Sequence, residues 1–305
     1  MLFSTSTQRK FWIFPSIDEV RNLRNEANSE FINKIGIKQL SEEEARYLLT
    51  PHQEYKLSLA YEYEIKKFCM SFPTPLPSFV IATSMIYFKR FFLHNSIMEY
   101  NPEDIMITCI FLACKVEEYY VSIQNFSSYC KLMPKEACEK IVRDNELLVM
   151  LKLHYHLTIY KPYKAVDGFL LDIRTRCKDV KFNFERVQKI ALEFIDRSLH
   201  TDVFLLYSPS QIALAAVLHS VHREGHNLDE YVLTILLHDV PQETMTKVIE
   251  QIKKLRKLVK HQEKINRNEI ADIEARLRAF KATTTWRSRN SQFDGDSQDS
   301  ETCMD

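Results

Sequence analysis

The chain has 305 residues, 45% of them apolar, and its 41 acidic and 41 basic side chains leave no formal net charge. That length predicts two domains of ordinary size with apolar material for two cores, and neutrality disfavours a dominant nucleic-acid-binding role, which shows a basic excess. Nothing approaches the run of about 20 apolar residues that a membrane helix needs, and the N-terminal MLFSTSTQRKFW lacks the apolar run of a signal peptide. Only four residues are glycine, and no strand-type alternation separates the helical stretches. Long helices joined by short polar or Pro-containing links are therefore expected. The seven cysteines (69, 109, 114, 130, 138, 177, 303) form no CxxC pair and have no His at zinc-finger spacing. They read as reduced core thiols of a soluble protein of the cytosol or nucleus.

Residues 1–50 are expected to form an arm and a helix. In the arm, TQRKFWIFP, a basic dipeptide precedes Phe11, Trp12, Ile13 and Phe14, four large apolar side chains expected to dock on the protein or a partner. Ser16 with Glu19 predicts a capping box, and Ile17, Val20, Leu23 and Ala27 mark a helix that ends near Lys34, with a turn at Gly36. A helix over 54–72 carries Leu57, Tyr61, Ile65 and Phe68 on one face, and PTPLP at 73–77 breaks it. A nearly all-apolar helix follows over 79–93.

The stretch NPEDIMITCIFLACKVEE, 101–118, organises everything around it. Asn101 is an N-cap, Pro102 suits the first helical position, and Glu103 and Asp104 face the positive end of the dipole. In 105–114 only Thr108 is not apolar. A helix apolar all round must be surrounded by protein. Polar residues return at Lys115, Glu117 and Glu118, so a buried rod delivers a lysine and two carboxylates to the surface. A short helix over 122–130 and a long one over 134–153 follow; 154–161 is expected to be irregular, because Pro162 disfavours helix before it.

The design then repeats. Pro102 and Pro209 lie 107 residues apart, as do Arg90 and Arg197, Ile141 and Val248, and Leu148 and Leu255. Three helices in register at one offset predict a duplicated helical unit. Its second copy has helices near 163–176, 184–200, 209–224, 227–237 and 242–260. A further amphipathic helix over 268–281 shows Ile270, Ile273, Leu277 and Phe280. The polar, Ser- and Asp-rich 283–305 is expected to be disordered. The prediction is an all-α protein of two tandem five-helix repeats, 51–160 and 161–262, with an extra N-terminal helix and a C-terminal helix over 263–282.

On these residues the chain resembles the cyclin family, built from two five-helix boxes whose third helix is the buried centre. The resemblance spans roughly 8–280. It is carried by IYFKRFFLHNSIMEYNPEDIMITCIFLACKVEE (86–118), TQRKFW and LLYSPSQIALAAVL, which are similar to the branch serving CDK-activating kinase. It implies a non-catalytic subunit that binds and activates a cyclin-dependent kinase, alongside a RING-finger assembly subunit. It also implies activation-loop phosphorylation of CDKs, phosphorylation of the RNA polymerase II C-terminal domain within general transcription factor IIH, and a nuclear location. The family's Lys–Glu pair, which in the family contacts the segment leading into the kinase helix αC, matches Lys115 and Glu146. Leu112, Val116 and Met150 match the apolar floor beneath αC. The family's MRxxL stretch with a nearby Trp is missing from 55–69, YKLSLAYEYEIKKFC, so docking of RxL motifs is not expected. In the second repeat, 115 maps to His222 and 146 to Lys253, so that repeat is expected to be scaffold or a docking surface for another subunit.

Other readings fare worse. No Gly-rich phosphate loop, GxSxG or HExxH marks an enzyme, and no catalytic, metal or cofactor residue is assigned. His219, His222 and His226 lack a fitting carboxylate or Cys, and Gly225 ends their helix. In KKLRKLVK, 253–260, Leu255, Leu258 and Val259 at helical spacing favour a solvated basic face on a core helix over a nuclear-localisation or nucleic-acid patch. The competing classes are another transcriptional cyclin, or a cyclin-fold adaptor of the transcription factor IIB type that binds DNA. A continuous positive groove on the second repeat would favour the adaptor.

Overall fold

The structure, a computed structural model, describes residues 2–36, 42–177 and 182–283; the polar tail from 284 on, with Cys303, lies outside them. Helices follow one another from end to end: α1 Thr7–Phe11, α2 Ile17–Ile35, α3 Glu42–Arg46, α4 Pro51–Met70, α5 Ser78–Phe91, α6 Pro102–Val116, α7 Ile123–Ser128 and α8 Lys135–Lys152. After the linker come α9 Tyr163–Arg176, α10 Phe184–Leu199, α11 Val203–Leu206, α12 Pro209–Arg223, a π-helix Tyr231–Leu236, α13 Gln242–Lys260 and α14 Arg267–Thr283. No strand occurs among the described residues, and none of the described helices is long and apolar enough to cross a membrane.

The first repeat winds α4, α5 and α8 around α6. The Asn101 side chain accepts the Glu103 N–H and Pro102 opens the helix, as the sequence predicts. Ile105 to Cys114 are buried without exception. Thr108, the single polar member, donates its hydroxyl back to the Asp104 carbonyl at 2.7 Å, which satisfies it without a partner from outside the helix. The second repeat centres on α12 in the same way, with α9, α10, α11 and α13 packed around it. There the capping box is complete: Ser208 accepts the Gln211 N–H, and the Gln211 side chain returns to the Ser208 N–H.

Three local expectations change. Within the segment expected as a helix over 227–237, Tyr231–Leu236 form a π-helix; Leu228 ahead of it and its Tyr231 and Val232 are buried, and the Tyr231 hydroxyl donates to Asp172 at 2.8 Å. The short α11 was not anticipated. At α2, Ser16 accepts the Glu19 N–H, which is half of the expected box.

Both terminal helices dock. Val20, Ala27 and Phe31 of α2 and Ile273, Leu277 and Phe280 of α14 are buried, and the Phe31 and Phe280 rings meet edge-on at 6.2 Å. Asn28 donates to the Leu49 carbonyl and to buried Glu54. Arg276 reaches back to the Leu48 carbonyl at 2.7 Å. The arm docks as well. Trp12 is buried with Val20, Leu93 of the first repeat and Leu205 of the second. Its ring lies 4.7 Å from the guanidinium of Arg90, itself 1% exposed, and its indole N–H donates to His156 at 3.1 Å. Phe11 remains half exposed but stacks on His156 at 4.8 Å.

A buried polar junction joins the two repeats. Arg24 donates to both Asp202 oxygens at 2.8 and 2.6 Å, and Lys89 donates to Glu62 at 2.6 Å while its ammonium lies 3.9 Å from Asp202. Burial works to raise the Asp202 carboxyl; the Arg24 guanidinium overrides it and holds the group below its usual range. For Glu62 burial wins over Lys89 and pushes the carboxyl up to about 7. Beside them the His200 ring stacks on Tyr63, centroids 3.8 Å apart and 7° from parallel. Burial, then the nearby charges of Lys89 and Lys66, pull His200 down to about 3.

A pH dependence follows. In the folded protein His200 stays neutral well below its ordinary 6.5, whereas the unfolded chain protonates it there. The stability it allows is therefore full above pH 6.5 and lost as pH falls, by about 2 kcal/mol at pH 5. His200→Phe keeps an aromatic ring on Tyr63 and removes the titration. Urea unfolding at pH 7 and pH 5 should show the wild type losing about 2 kcal/mol more than the variant. The opposing titration of Glu62 is common to both and cancels in the difference; equal losses would mean that His200 ionises freely in the fold.

Candidate functional site

The buried rod surfaces at its C-terminal end. Lys115, the first exposed residue after the apolar body of α6, sits where the helix dipole favours a cation. Its ammonium donates to both oxygens of Glu146 on α8, at 2.6 and 2.9 Å, and lies 4.9 Å from the ring centre of buried Phe111. The lysine side chain is 51% exposed and the glutamate 22%. An ion pair this open to water adds only about 0–1 kcal/mol to stability. Its capacity lies elsewhere: one ammonium proton and further carboxylate lone pairs stay available to backbone groups of a partner.

Both helices that hold the pair end in left-handed backbone without glycine. Past α6, Glu118 has φ 57°, and the chain reverses with the Tyr119 N–H on the Cys114 carbonyl at 2.9 Å. Past α8, His154 and Tyr155 have φ 52° and 57°, with the Tyr155 N–H on the Met150 carbonyl at 2.9 Å. Six-to-one bonds of this kind close Schellman turns, in which glycine is the usual residue. Next to α6, Glu117 accepts from Thr83 at 2.6 Å and pairs with Lys161 of the linker, which fixes the C-terminal end of α6 against α5 and the inter-repeat segment.

Of the five residues singled out in the sequence, Lys115 and Glu146 are in contact. Val116 and Met150 are half-buried and pack against the core. Leu112 is 2% exposed and supports the surface from beneath rather than forming it. The exposed apolar groups are others: Leu147 at 56%, Leu151 at 50% and Tyr155. Leu147 and Leu151 lie four residues apart on α8, opposite the buried stripe of Cys138, Val142 and Val149, and Tyr155 follows beyond the helix end. That second i, i+4 stripe was readable in the sequence, since an amphipathic helix needs only one.

The second repeat offers no copy of this surface. At the 107-residue offset, Leu147 becomes Lys254 and Met150 becomes Lys257. The counterparts of the ion pair, His222 and Lys253, are both exposed. Among the described residues no hydrogen bond or ion pair joins these two, and no group of three or more His, Cys, Asp or Glu side chains is placed to hold a metal ion.

Residues 71–158 match the model of the cyclin N-terminal domain and 161–260 that of the cyclin C-terminal domain. Cyclin-H of Xenopus laevis is 36% identical over 278 residues, covering 90% of this chain and 86% of the relative. A chain in the structure of the CAK complex from Chaetomium thermophilum bound to ATP-γ-S shares the fold, with a TM-score of 0.81 at 22% identity over 99% of this chain and 97% of the other. A chain of the yeast TFIIK (Kin28/Ccl1/Tfb3) complex shares it with a TM-score of 0.62 at 24% identity, over 84% of this chain and 100% of the other. The duplicated boxes, the buried third helix of each and these relatives together make the chain a member of the cyclin family, similar to the cyclin-H proteins.

Proposed function

We propose that this chain is the non-catalytic regulatory subunit of a cyclin-dependent kinase, and that the α6–α8 face of the first box is its kinase-binding surface. The observation that carries the reading is the Lys115–Glu146 pair, held at 2.6 Å beside exposed Leu147 and Leu151, in a chain that resembles Cyclin-H over nine tenths of its length. A protein kinase is active only when its β3 Lys pairs with a Glu on helix αC. A rigid surface that binds only the inward αC shifts the kinase to that state through differential affinity. The Lys115 ammonium and the Glu146 carboxylate would meet backbone carbonyls and N–H groups of the segment entering αC. Leu147, Leu151, Val116 and Met150 would cover its apolar side, above a base formed by Leu112.

Within this reading the kinase is the catalytic subunit of a CDK-activating kinase, joined by a RING-finger assembly subunit. The complex acts on CDK activation loops and, in general transcription factor IIH, on the RNA polymerase II C-terminal domain, in the nucleus. The second box, with Lys254 and Lys257 where the first has apolar residues, serves as scaffold or as the assembly subunit's dock.

Three outcomes are expected. Purified alone, the protein transfers no phosphate, and added to its kinase it raises phosphorylation of a C-terminal-domain peptide; phosphotransfer by a kinase-free preparation would refute the assignment. Glu146→Ala leaves Lys115 unpaired in a desolvated interface and weakens kinase affinity by about 2–5 kcal/mol, whereas Lys253→Ala changes it by under about 0.5 kcal/mol. Calorimetric titration decides, with circular dichroism as the folding control, and equal losses would mean that both boxes grip the kinase. Leu147→Glu with Leu151→Glu adds charge to a surface already exposed, so the melting temperature should hold while kinase affinity falls at least tenfold. Unchanged affinity would move the interface off α8.

A further inference from the structure

Two cavities that share Ile17, Leu258 and His261 form one trough along α2. The larger, 530 Å³, lies where α2 starts, between the arm, the end of α11 and α13. The other, 390 Å³, follows α2 as far as Asn25. The walls of the larger are fixed by hydrogen bonds. The Phe14 N–H donates to the Leu205 carbonyl at 2.7 Å, which holds the arm on α11. The Gln211 side chain donates to Gln251 at 2.6 Å, which holds α13 on α12. Between these walls Ile17, Leu206, Tyr207 and Leu258 make a half-buried apolar floor.

Charge divides the trough in two. At the start of α2, Lys254 and Lys257 stand exposed beside the apolar floor. Among the described residues neither side chain is in an ion pair or hydrogen bond, and no carboxylate lines this half. In the half that follows α2, the cations already have partners: Arg24 is on Asp202 at 2.6 Å and Arg21 on Asp18 at 3.1 Å. Glu263 there is 33% exposed, its nearest cation the His52 ring at 3.9 Å. Further along α2, Glu26 and Glu30 are exposed as well.

The sequence beyond Thr283 carries the opposite signs in the matching order. Arg287 and Arg289 come first, then Phe293, then Asp294, Asp296, Asp299, Glu301 and Asp305, with no basic residue after 289. Its starting point is also right. Phe280, near the end of α14, meets Phe31 at 6.2 Å, so the chain leaves α14 beside the far end of α2. From Phe31 back to Ile17 the helix spans about 21 Å, and the ten residues from Thr283 to Phe293 span up to about 33 Å. A segment tethered this close acts at an effective concentration on the order of millimolar, enough to fill a groove of weak contacts.

We propose that the C-terminal segment of this chain docks in the trough, with Arg287 and Arg289 toward Glu263, Phe293 on the apolar floor, and Asp294 and Asp296 on Lys254 and Lys257. The segment then covers the face that the reading above offers to an assembly subunit, and an acidic partner must displace it to bind there. The docking itself rests on none of the kinase reading.

The test uses the full chain. A carbodiimide, which joins an ammonium to a carboxylate in contact with it, is applied to an equal mixture of unlabelled and ¹⁵N-labelled protein, and the linked peptides are mapped by mass spectrometry. The expected product joins Lys254 or Lys257 to Asp294 or Asp296 without mixing isotopes. A fluorescein-labelled peptide of residues 284–305 supplies the second measurement. It should bind the full chain carrying Phe293→Ala, Asp294→Asn and Asp296→Asn at least tenfold more tightly than it binds the wild type, whose own segment competes. Adding Lys254→Glu and Lys257→Glu to that variant should abolish the gain, with circular dichroism as the folding control. Linkage of these aspartates to other lysines, or equal peptide affinity for the wild type and the first variant, would overturn the proposal. So would mixed-isotope linkages, which place a second copy's segment in the trough.

Discussion

The position of the two boxes depends on Asp202. This carboxylate stands between α10 and α11, at the start of α11, in the second box, yet its partners are Arg24 of the N-terminal helix and Lys89 of the first box. A buried charge set of this kind is a poor source of net stability, because desolvation consumes most of the attraction. It is a demanding source of geometry, because every member left unpaired is costly. Sliding one box against the other would part Asp202 from Arg24 and expose both to a dry interior. The apolar contacts around it, from Trp12 with Leu93 and Leu205 to the stacked Tyr63 and His200, are less directional and tolerate more. The ionic junction therefore sets orientation, and the apolar contacts supply the bulk of the adhesion.

Duplication gave the two halves one scaffold, and their surfaces then separated. Arg90 and Arg197 hold equivalent places near the ends of α5 and α10. The first is buried under Trp12, with its Nε and Nη2 unpartnered; the second is exposed. Burial pulls Arg90 down to about 9, which still leaves it charged at neutral pH. The arm thus covers a cation in one box and has nothing to cover in the other. The α8 face also diverges: Leu147 and Met150 beside the ion pair of the first box become Lys254 and Lys257 in the second, while Leu151 remains leucine as Leu258.

Much of this was legible in the sequence because helices of this protein are defined by local signals. The all-apolar run 105–114, the Asn-Pro and Ser-Pro starts and the constant offset placed the five-helix units and both axles. The Lys115–Glu146 pairing came through resemblance, since nothing in the spacing of two residues 31 apart dictates contact. What stayed hidden was the inter-box junction. Nothing in the sequence singles out Glu62, Lys89, Arg24 and Asp202, and their burial is a property of how the helices of the two boxes pack, which no local pattern encodes. Leu112 also came through resemblance, as part of an apolar floor; its burial at 2% exposure follows from its place in the all-apolar run 105–114. The π-helix was read as ordinary helix because both put apolar residues at similar spacing.

The left-handed residues Glu118, His154 and Tyr155 bracket the site at its two helix ends. Glycine at those places would adopt the turn without strain, and would also leave the unfolded and partly opened chain free to sample many other conformations. A side chain with a Cβ reaches the same turn at a cost of about 1–2 kcal/mol, but the basins around it are few. The chain leaving α6 and the chain leaving α8 are thus restricted to narrow angular paths, and the edges of the surface between them are stiff before any partner arrives. Little conformational entropy is then left in these edges, so the surface between them keeps one shape, a preset die rather than a pliable face.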